Sequence, residues 1–272
     1  MTPWERTMFD LEPRPGQMTL LSGYKEHGKS TFISFMVARL LQQGIRICWL
    51  STAMSAPRLI WVLCRQILAT NLPTDDEARS VIQAYSDRLV VLNPAPRWQG
   101  ALNTFDQAWG ESDCQLFIVD NLDGICMSTQ EKTEVARAFS SFAHLKNRSV
   151  LVVNQTRKDL GDGTIPELTD IDGPPALLDA STSIFTLWRN KVKERLLGDE
   201  VKLSISHEES YRTIRSNPDF VLTRHAPCYR MDSDDGTLSV GLWEEPVSRQ
   251  FLVHPDHRRM PLFPPDAPEE AT

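Results

Sequence analysis

The chain has 272 residues, a hydrophobic fraction of 41% and a formal net charge of −7 at pH 7. This composition supports a sizeable core in one large α/β domain or two small ones. It has no apolar run long enough to span a bilayer, and it excludes a generally basic nucleic-acid coat, though not a local cationic face on an acidic body. Five scattered cysteines (Cys48, Cys64, Cys114, Cys126 and Cys228) form no C-x-x-C pair, so neither a zinc site nor a disulfide framework is expected. A reducing intracellular compartment is the natural setting. The polar, charged residues 1–14 do not read as a secretory signal.

In chain order, residues 1–14 form an arm and a short buried strand follows at Met18–Ser22. It runs into Gly23-Tyr24-Lys25-Glu26-His27-Gly28-Lys29-Ser30, which fits the phosphate-loop pattern G-x-x-x-x-G-K-[ST]. Residues 30–43 then carry apolar side chains at helical spacing. Strand, loop and helix in register make a chance glycine-rich turn a poor explanation. Further strands are expected at 46–51, 88–92, 116–120 and 149–154, and helices at 56–70, 75–85, 101–109 and 133–146. Such alternation predicts a mainly parallel sheet with helices on both faces. Beyond residue 170 the pattern loosens into a helix at 176–183 and a strand at 183–188. A polar, solvated excursion follows at 191–217, and then strands at 220–223, 238–243 and 250–253, placed antiparallel at one sheet edge. The tail 255–272 carries five prolines and reads as disordered, which leaves 15–254 as one domain.

The chemistry follows from placement. Glycines let backbone N–H groups turn inward around phosphate oxygens, and the helix N-terminus adds partial positive charge. Residues 23–31, with Thr31 closing the turn, are the expected nucleotide cradle. Lys29 reaches the β- and γ-phosphates, and the Ser30 hydroxyl sits on Mg²⁺. Asp120 ends an apolar strand and is the expected metal carboxylate. Gln155 ends another such strand, where an amide can sense a γ-phosphate, although polar residues often end strands. Arg157 and Lys158 open a glycine-containing loop that suits the backbone of a nucleic acid. On composition alone this is equally an ordinary solvated loop.

Together these pieces resemble the RecA-like motor domain of hexameric replicative DNA helicases of the DnaB type, and within it the Twinkle-like branch. Pro15-Gly16-Gln17-Met18-Thr19 resembles the family's opening strand, and the phosphate loop is followed by Ile33-Ser34 as in the Twinkle-like version. Ile47 to Ser55 resembles the strand and turn that normally read S-[LF]-E-[MI]-S, with Arg58-Leu59 following. Ile118-Val119-Asp120-Asn121-Leu122 is similar to the metal-binding strand, and Val152 to Lys158 to the sensing strand and DNA-facing loop.

The resemblance implies a RecA-like P-loop NTPase core that uses ATP and Mg²⁺ and acts as an ATP-dependent helicase. It further implies single-stranded DNA as partner, a homo-oligomer (a hexamer) with ATP at its subunit interfaces, and a primase or other replication protein nearby. A membrane is not among the partners. Phage, bacterial and mitochondrial settings all fit. Residues 3–9, with Trp4, Met8 and Phe9, stand where relatives carry a linker helix, and no collar domain is expected before them.

Two positions depart from the family. Ala53 stands where relatives place the glutamate that activates the attacking water, so slow hydrolysis is expected. This holds whether the chain is naturally a weak ATPase or was altered to hold ATP. The family's late K-x-R pair becomes Arg224 and Ala226, with Arg224 the expected trans-acting cation and Arg230 a second candidate. Two other readings stay open. One is a recombinase-like or regulatory protein that assembles on ATP with little hydrolysis. The other is a P-loop small-molecule kinase, against which the loop after Gln155 and Asp120-Asn121-Leu122 argue.

Overall fold

The computed structural model describes residues 14–68, 70, 72–92, 97–157 and 166–189, and the backbone of strands at 200–210, 213–214, 219–225 and 230–233. The core alternates β1 (Met18–Ser22), α1 (Lys29–Gln42), β2 (Ile47–Ser51), α2 (Ala56–Leu68), α3 (Asp75–Tyr85), β3 (Leu89–Leu92) and α4 (Trp98–Ser112). It continues with β4 (Leu116–Asp120), α5 (Thr129–Lys146), β5 (Ser149–Val153), α6 (Pro175–Asp179) and β6 (Ser183–Arg189). Short 3-10 turns at Leu122–Gly124 and Leu168–Asp170 follow β4 and precede α6.

Six strands form an all-parallel unit in the order β3-β2-β4-β5-β1-β6. Strands β2, β4 and β5 are buried along their whole length, as expected where helices cover both faces. Side chains alternate between two apolar layers. Ile47, Trp49, Leu116 and Ile118 face a cluster with α1, α2 and α3. Cys48, Leu50, Phe117 and Val119 face the cluster with α4 and α5. In that second layer Phe117 packs 5.0 Å from Phe105 and 4.9 Å from Phe142, ring centre to ring centre. The buried cysteines Cys48, Cys64, Cys114 and Cys126 are free thiols, and burial pushes each of them up, Cys64 and Cys126 to about 12 and Cys114 to about 11.

Local signals set the helix ends. Thr74 and Glu77 form a reciprocal capping box on α3. Ser128 caps α5 by accepting the Glu131 N–H at 3.1 Å, so this helix starts four residues before the expected 133. Asp113 and Asn147 end α4 and α5 in the left-handed region, at φ 49° and 51°.

The region 191–217 is not wholly the polar excursion expected, because β7 (Glu200–Ser210) and β8 (Thr213–Ile214) lie within it. The alternating Val201, Leu203 and Ile205 carried that signal at period two. Next come β9 (Asp219–His225), which takes in the expected strand at 220–223, and β10 (Arg230–Ser233). Antiparallel pairing occurs only outside the six-stranded unit, from β6 to β7, β7 to β8 and β9, and β9 to β10. No antiparallel strand enters the part of the sheet that carries the site. The expected strands at 238–243 and 250–253, the tail 255–272 and residues 1–13 of the arm lie outside the described residues. Among the described residues no helix is long and apolar enough to cross a membrane.

Candidate nucleotide site

The parallel register brings the C-terminal ends of β1, β2, β4 and β5 to one edge: Ser51 pairs with Asp120, and Leu21 with Val153. In open parallel sheets this is the edge at which ligands bind. The loop from β1 to α1 requires its glycines. A Cβ on Gly23 would lie 2.2 Å from the Leu187 carbonyl oxygen of β6, so the loop can press against that strand only without a side chain. Gly28 precedes α1 at φ 92° and ψ 17°, with no side-chain cap on the helix's first N–H groups. The loop interior is filled by Tyr24 and His27, both buried and in edge contact at 5.2 Å, while Lys25 and Glu26 point to solvent. The Thr31 carbonyl accepts a 3.0 Å bond from the Gln66 side chain, which ties the loop's exit to α2.

Lys29 and Asp120 form the charged centre. Lys29 Nζ donates to the carbonyl oxygens of Gly23 and Tyr24, each at 2.7 Å. Burial lowers its pKa to about 8, partly offset by the charges of Asp120 and Asp123. Asp120 is 1% exposed; burial raises its pKa, partly offset by a hydrogen bond from Ser30 and by Lys29. Its Oδ2 is buried with no hydrogen-bond partner among the described residues. An orphaned carboxylate oxygen beside a hydroxyl is a hard-oxygen donor set that fits Mg²⁺. Among the described residues no three His, Cys, Asp or Glu side chains converge. A magnesium ion here would take its other ligands from phosphate and water, as Mg²⁺ commonly does.

Ala53 lies beside this centre. Its N–H donates to the Asp120 carbonyl at 3.2 Å, and its side chain is exposed. The Asp120–Asn121 peptide is cis. The Thr52 hydroxyl donates to the Asn121 carbonyl at 3.1 Å and accepts the Asn121 N–H at 2.9 Å. A Cβ on Gly124 would lie 2.2 Å from the Thr52 side chain. The turn after β2 is therefore packed tightly onto the turn after β4, and the methyl group of Ala53 has no atom that can accept a proton.

Gln155 is half-buried and follows Asn154, whose N–H donates to Leu21 of β1 at 2.9 Å. This places Gln155 at the same sheet edge as the phosphate loop. Arg157 is exposed; its N–H donates to the Asp170 carbonyl at 2.7 Å and its guanidinium to the Gly173 carbonyl at 3.2 Å. Thr156 pairs with Ile171, so the two ends of the loop expected to meet DNA run together. Lys158 and the loop tip to residue 165 lie outside the described residues.

Arg224 lies on β9 opposite Met231, and Arg230 begins β10 opposite His225; the side chains of both are outside the described residues. β9 is the third strand beyond β1, roughly 14 Å away at normal strand spacing. Arg224 is therefore not part of its own chain's phosphate loop.

The sequence reading missed one cluster. Lys132, 7% exposed, pairs with Asp123 at 2.7 Å and Asp172 at 2.9 Å and donates to Asn154 Oδ1 at 3.5 Å. Burial alone would pull the ammonium's pKa down, but the two carboxylates outweigh it and hold the value up. The Asn154 amide also donates to the carbonyl oxygens of Asp172 and Gln155. Lys132 thus joins the turn after β4, the end of β5 and the base of the loop after Gln155. The Ser128-x-x-Glu131 cap was the available signal, because it places Lys132 inside a helix rather than before one.

Comparison with solved structures yields matches in fold. The chain superposes on the separately solved ATPase domain of a DnaB-like helicase with a TM-score of 0.67 at 13% identity, covering 80% of this chain and 84% of that one. It superposes on a longer DnaB-like replicative helicase, described with its interactions with primase, with a TM-score of 0.63 at 13% identity. That match covers 80% of this chain and 59% of the other, so the chain spans less than two thirds of that helicase's length. By sequence, no family profile and no curated protein matches. The architecture is α/β and RecA-like, the fold of DnaB-type helicase motor domains.

Proposed function

We propose that this chain is an ATP-dependent motor of the replicative-helicase type that acts on single-stranded DNA, with ATP shared between subunits of a ring and hydrolysis slowed by Ala53. The observation that carries the reading is the buried Lys29–Ser30–Asp120 group, set at the mouth of a glycine-bounded loop on a RecA-like sheet. In this reading the loop N–H groups and Lys29 hold the phosphates. Ser30 and Asp120 hold Mg²⁺, which supplies charge neutralisation across the β- and γ-oxygens when bound. Gln155 senses the γ-phosphate, and Arg157 and Lys158 meet the DNA backbone. Arg224 cannot serve its own loop from β9, which supports a role in a neighbour's site. The solved helicase that interacts with primase makes a primase a reasonable further partner.

Ala53 favours a second reading, a recombinase-like or regulatory protein that assembles on ATP and hydrolyses little. One experiment separates the two. ATPase and strand displacement are measured for the parent and for Ala53→Glu, and particle size is measured with and without Mg·ATP and single-stranded DNA. The motor reading expects rings with Mg·ATP, loss of that growth in Arg224→Ala, and ATPase raised about a hundredfold by the restored general base. Rings without strand displacement by Ala53→Glu would favour the assembly protein. A strict monomer that transfers phosphate to a small acceptor would point to a kinase.

A further inference from the structure

With Ala53 inert, the attacking water needs another proton acceptor, and the acid packed against that position is Asp123. We propose that Asp123 accepts the proton of the attacking water in the residual ATP hydrolysis of this chain, held in place by Lys132. The inference rests on the Mg·ATP reading above.

Four observations carry it. Asp123 lies in the 3-10 turn Leu122–Gly124, only three residues beyond the metal carboxylate. That turn is anchored by the buried Leu122, whose carbonyl accepts the Ile125 N–H at 3.0 Å. It is pressed against Thr52, the neighbour of Ala53, so closely that Gly124 admits no side chain. Asp123 is therefore in the space where a residue on the β2 turn would otherwise present a carboxylate.

Its charge also acts on Lys29, as does that of Asp120. Asp120 is engaged by Ser30 and by the expected metal, which leaves Asp123 as the second carboxylate near the phosphate-binding ammonium. Finally, Lys132 grips Asp123 Oδ1 at 2.7 Å and is itself fixed by Asp172 at 2.9 Å. Asp123 Oδ2 has no protein partner among the described residues, and the side chain is 33% exposed, so water can reach it. A carboxylate held at one oxygen and open at the other is oriented to take a proton.

The step balances. The water oxygen forms a bond to the γ-phosphorus while the bond from that phosphorus to the β,γ-bridging oxygen breaks. The bridging oxygen keeps the electron pair and leaves as ADP. The water proton passes to Asp123 Oδ2 and then to solvent.

The test compares ATP turnover and ATP affinity in the parent, Asp123→Asn, Ala53→Glu and the double variant. Asp123→Asn should lower kcat about a hundredfold at unchanged ATP affinity. In the Ala53→Glu background that penalty should shrink to a few-fold, because the introduced glutamate takes over the proton. An equal penalty in both backgrounds would assign Asp123 a structural role and overturn the proposal. So would full activity of Asp123→Asn, or a parent that binds ATP without turning it over. If Asp123→Asn does not fold, Asp123→Glu decides. It keeps the pair with Lys132 but moves the carboxylate by one methylene, so unchanged kcat would overturn the proposal and a several-fold change at constant affinity would support it. A parent that binds no ATP defeats the Mg·ATP reading itself, which the affinity measurement shows separately.

Discussion

Lys29 is bound to the start of its own loop: its Nζ lies 2.7 Å from the Gly23 carbonyl oxygen, six residues back. The Tyr24 carbonyl accepts a second bond of the same length. The ammonium therefore sits in a ring of backbone dipoles before any nucleotide arrives. Burial in that ring brings its pKa down to about 8 from the ordinary 10.5.

ATP binding should weaken as pH rises through about 8. Below that value the free protein already carries the charge that phosphates need. Above it, Lys29 is largely neutral, and ATP must draw a proton onto it from solvent. Calorimetry about one pH unit above that value, in buffers of different ionisation heat, should show this uptake. Affinity that ignores pH, without proton uptake, would remove Lys29 from the site. The stability sign is separate. The folded pKa lies below the unfolded one, so Lys29 costs stability while charged, and the cost is relieved as pH rises from about 8 towards 10.5. Lys29→Ala should cost about 1.5–3 kcal/mol of ATP binding, roughly tenfold to a hundredfold, while the chain stays folded.

Asp120→Asn should separate stability from function. The folded pKa of Asp120 is raised by burial. The folded state then holds a proton that the unfolded chain has released, and stability is lost as pH rises through the raised value. Removing the charge should make the variant more stable than the parent at neutral pH, with the difference shrinking towards pH 3.8 as the parent's carboxyl protonates. The same variant should lose the magnesium dependence of ATP binding. Thermal unfolding across pH, paired with titrations with and without Mg²⁺, reads both.

Lys132→Met should destabilise the chain. The substitution leaves Asp123, Asp172 and the Asn154 side-chain carbonyl without their shared donor. Fully buried pairs cost about 3–5 kcal/mol when broken. Here the two aspartates are 33% and 47% exposed and keep water as a substitute. About 2 kcal/mol is the expected loss in urea unfolding, within the range for unsatisfied polar groups. An unchanged midpoint would show that the cluster is not a tie.

Arg157→Ala with Lys158→Ala should weaken single-stranded DNA binding equally for all sequences, because phosphate contacts carry no base information. Each lost phosphate contact should flatten the log–log salt slope by about 0.7, or about 1.4 for the pair. Identical slopes for parent and variant would move the DNA contact elsewhere on the surface.

The phosphate loop and the parallel core were legible because their signals are local. Gly23 to Ser30 announces itself within eight residues, and Leu116-Phe117-Ile118-Val119 is an apolar run that only a strand covered on both faces would carry. Asp120 at its end needed no partner to be noticed. The start of α5 was misplaced because its apolar rhythm begins after its cap, and β7 was read as an excursion because its alternating Val201, Leu203 and Ile205 are embedded in polar residues.

The sequence alone determined that a phosphate-binding loop runs from a strand into a helix and that alanine replaces a water-activating acid, since both are set by residue type at fixed spacing. Tertiary structure alone decided that Lys132 is buried between Asp123 and Asp172, nine residues before it and forty after it. It also decided that the Asp123 turn fills the space beside Ala53, and that Arg224 lies three strands from its own loop. Periodicity encodes which face of an element is buried. It does not encode which charges meet once the sheet has fixed strand order and register, because those distances are set by packing between segments far apart in the chain.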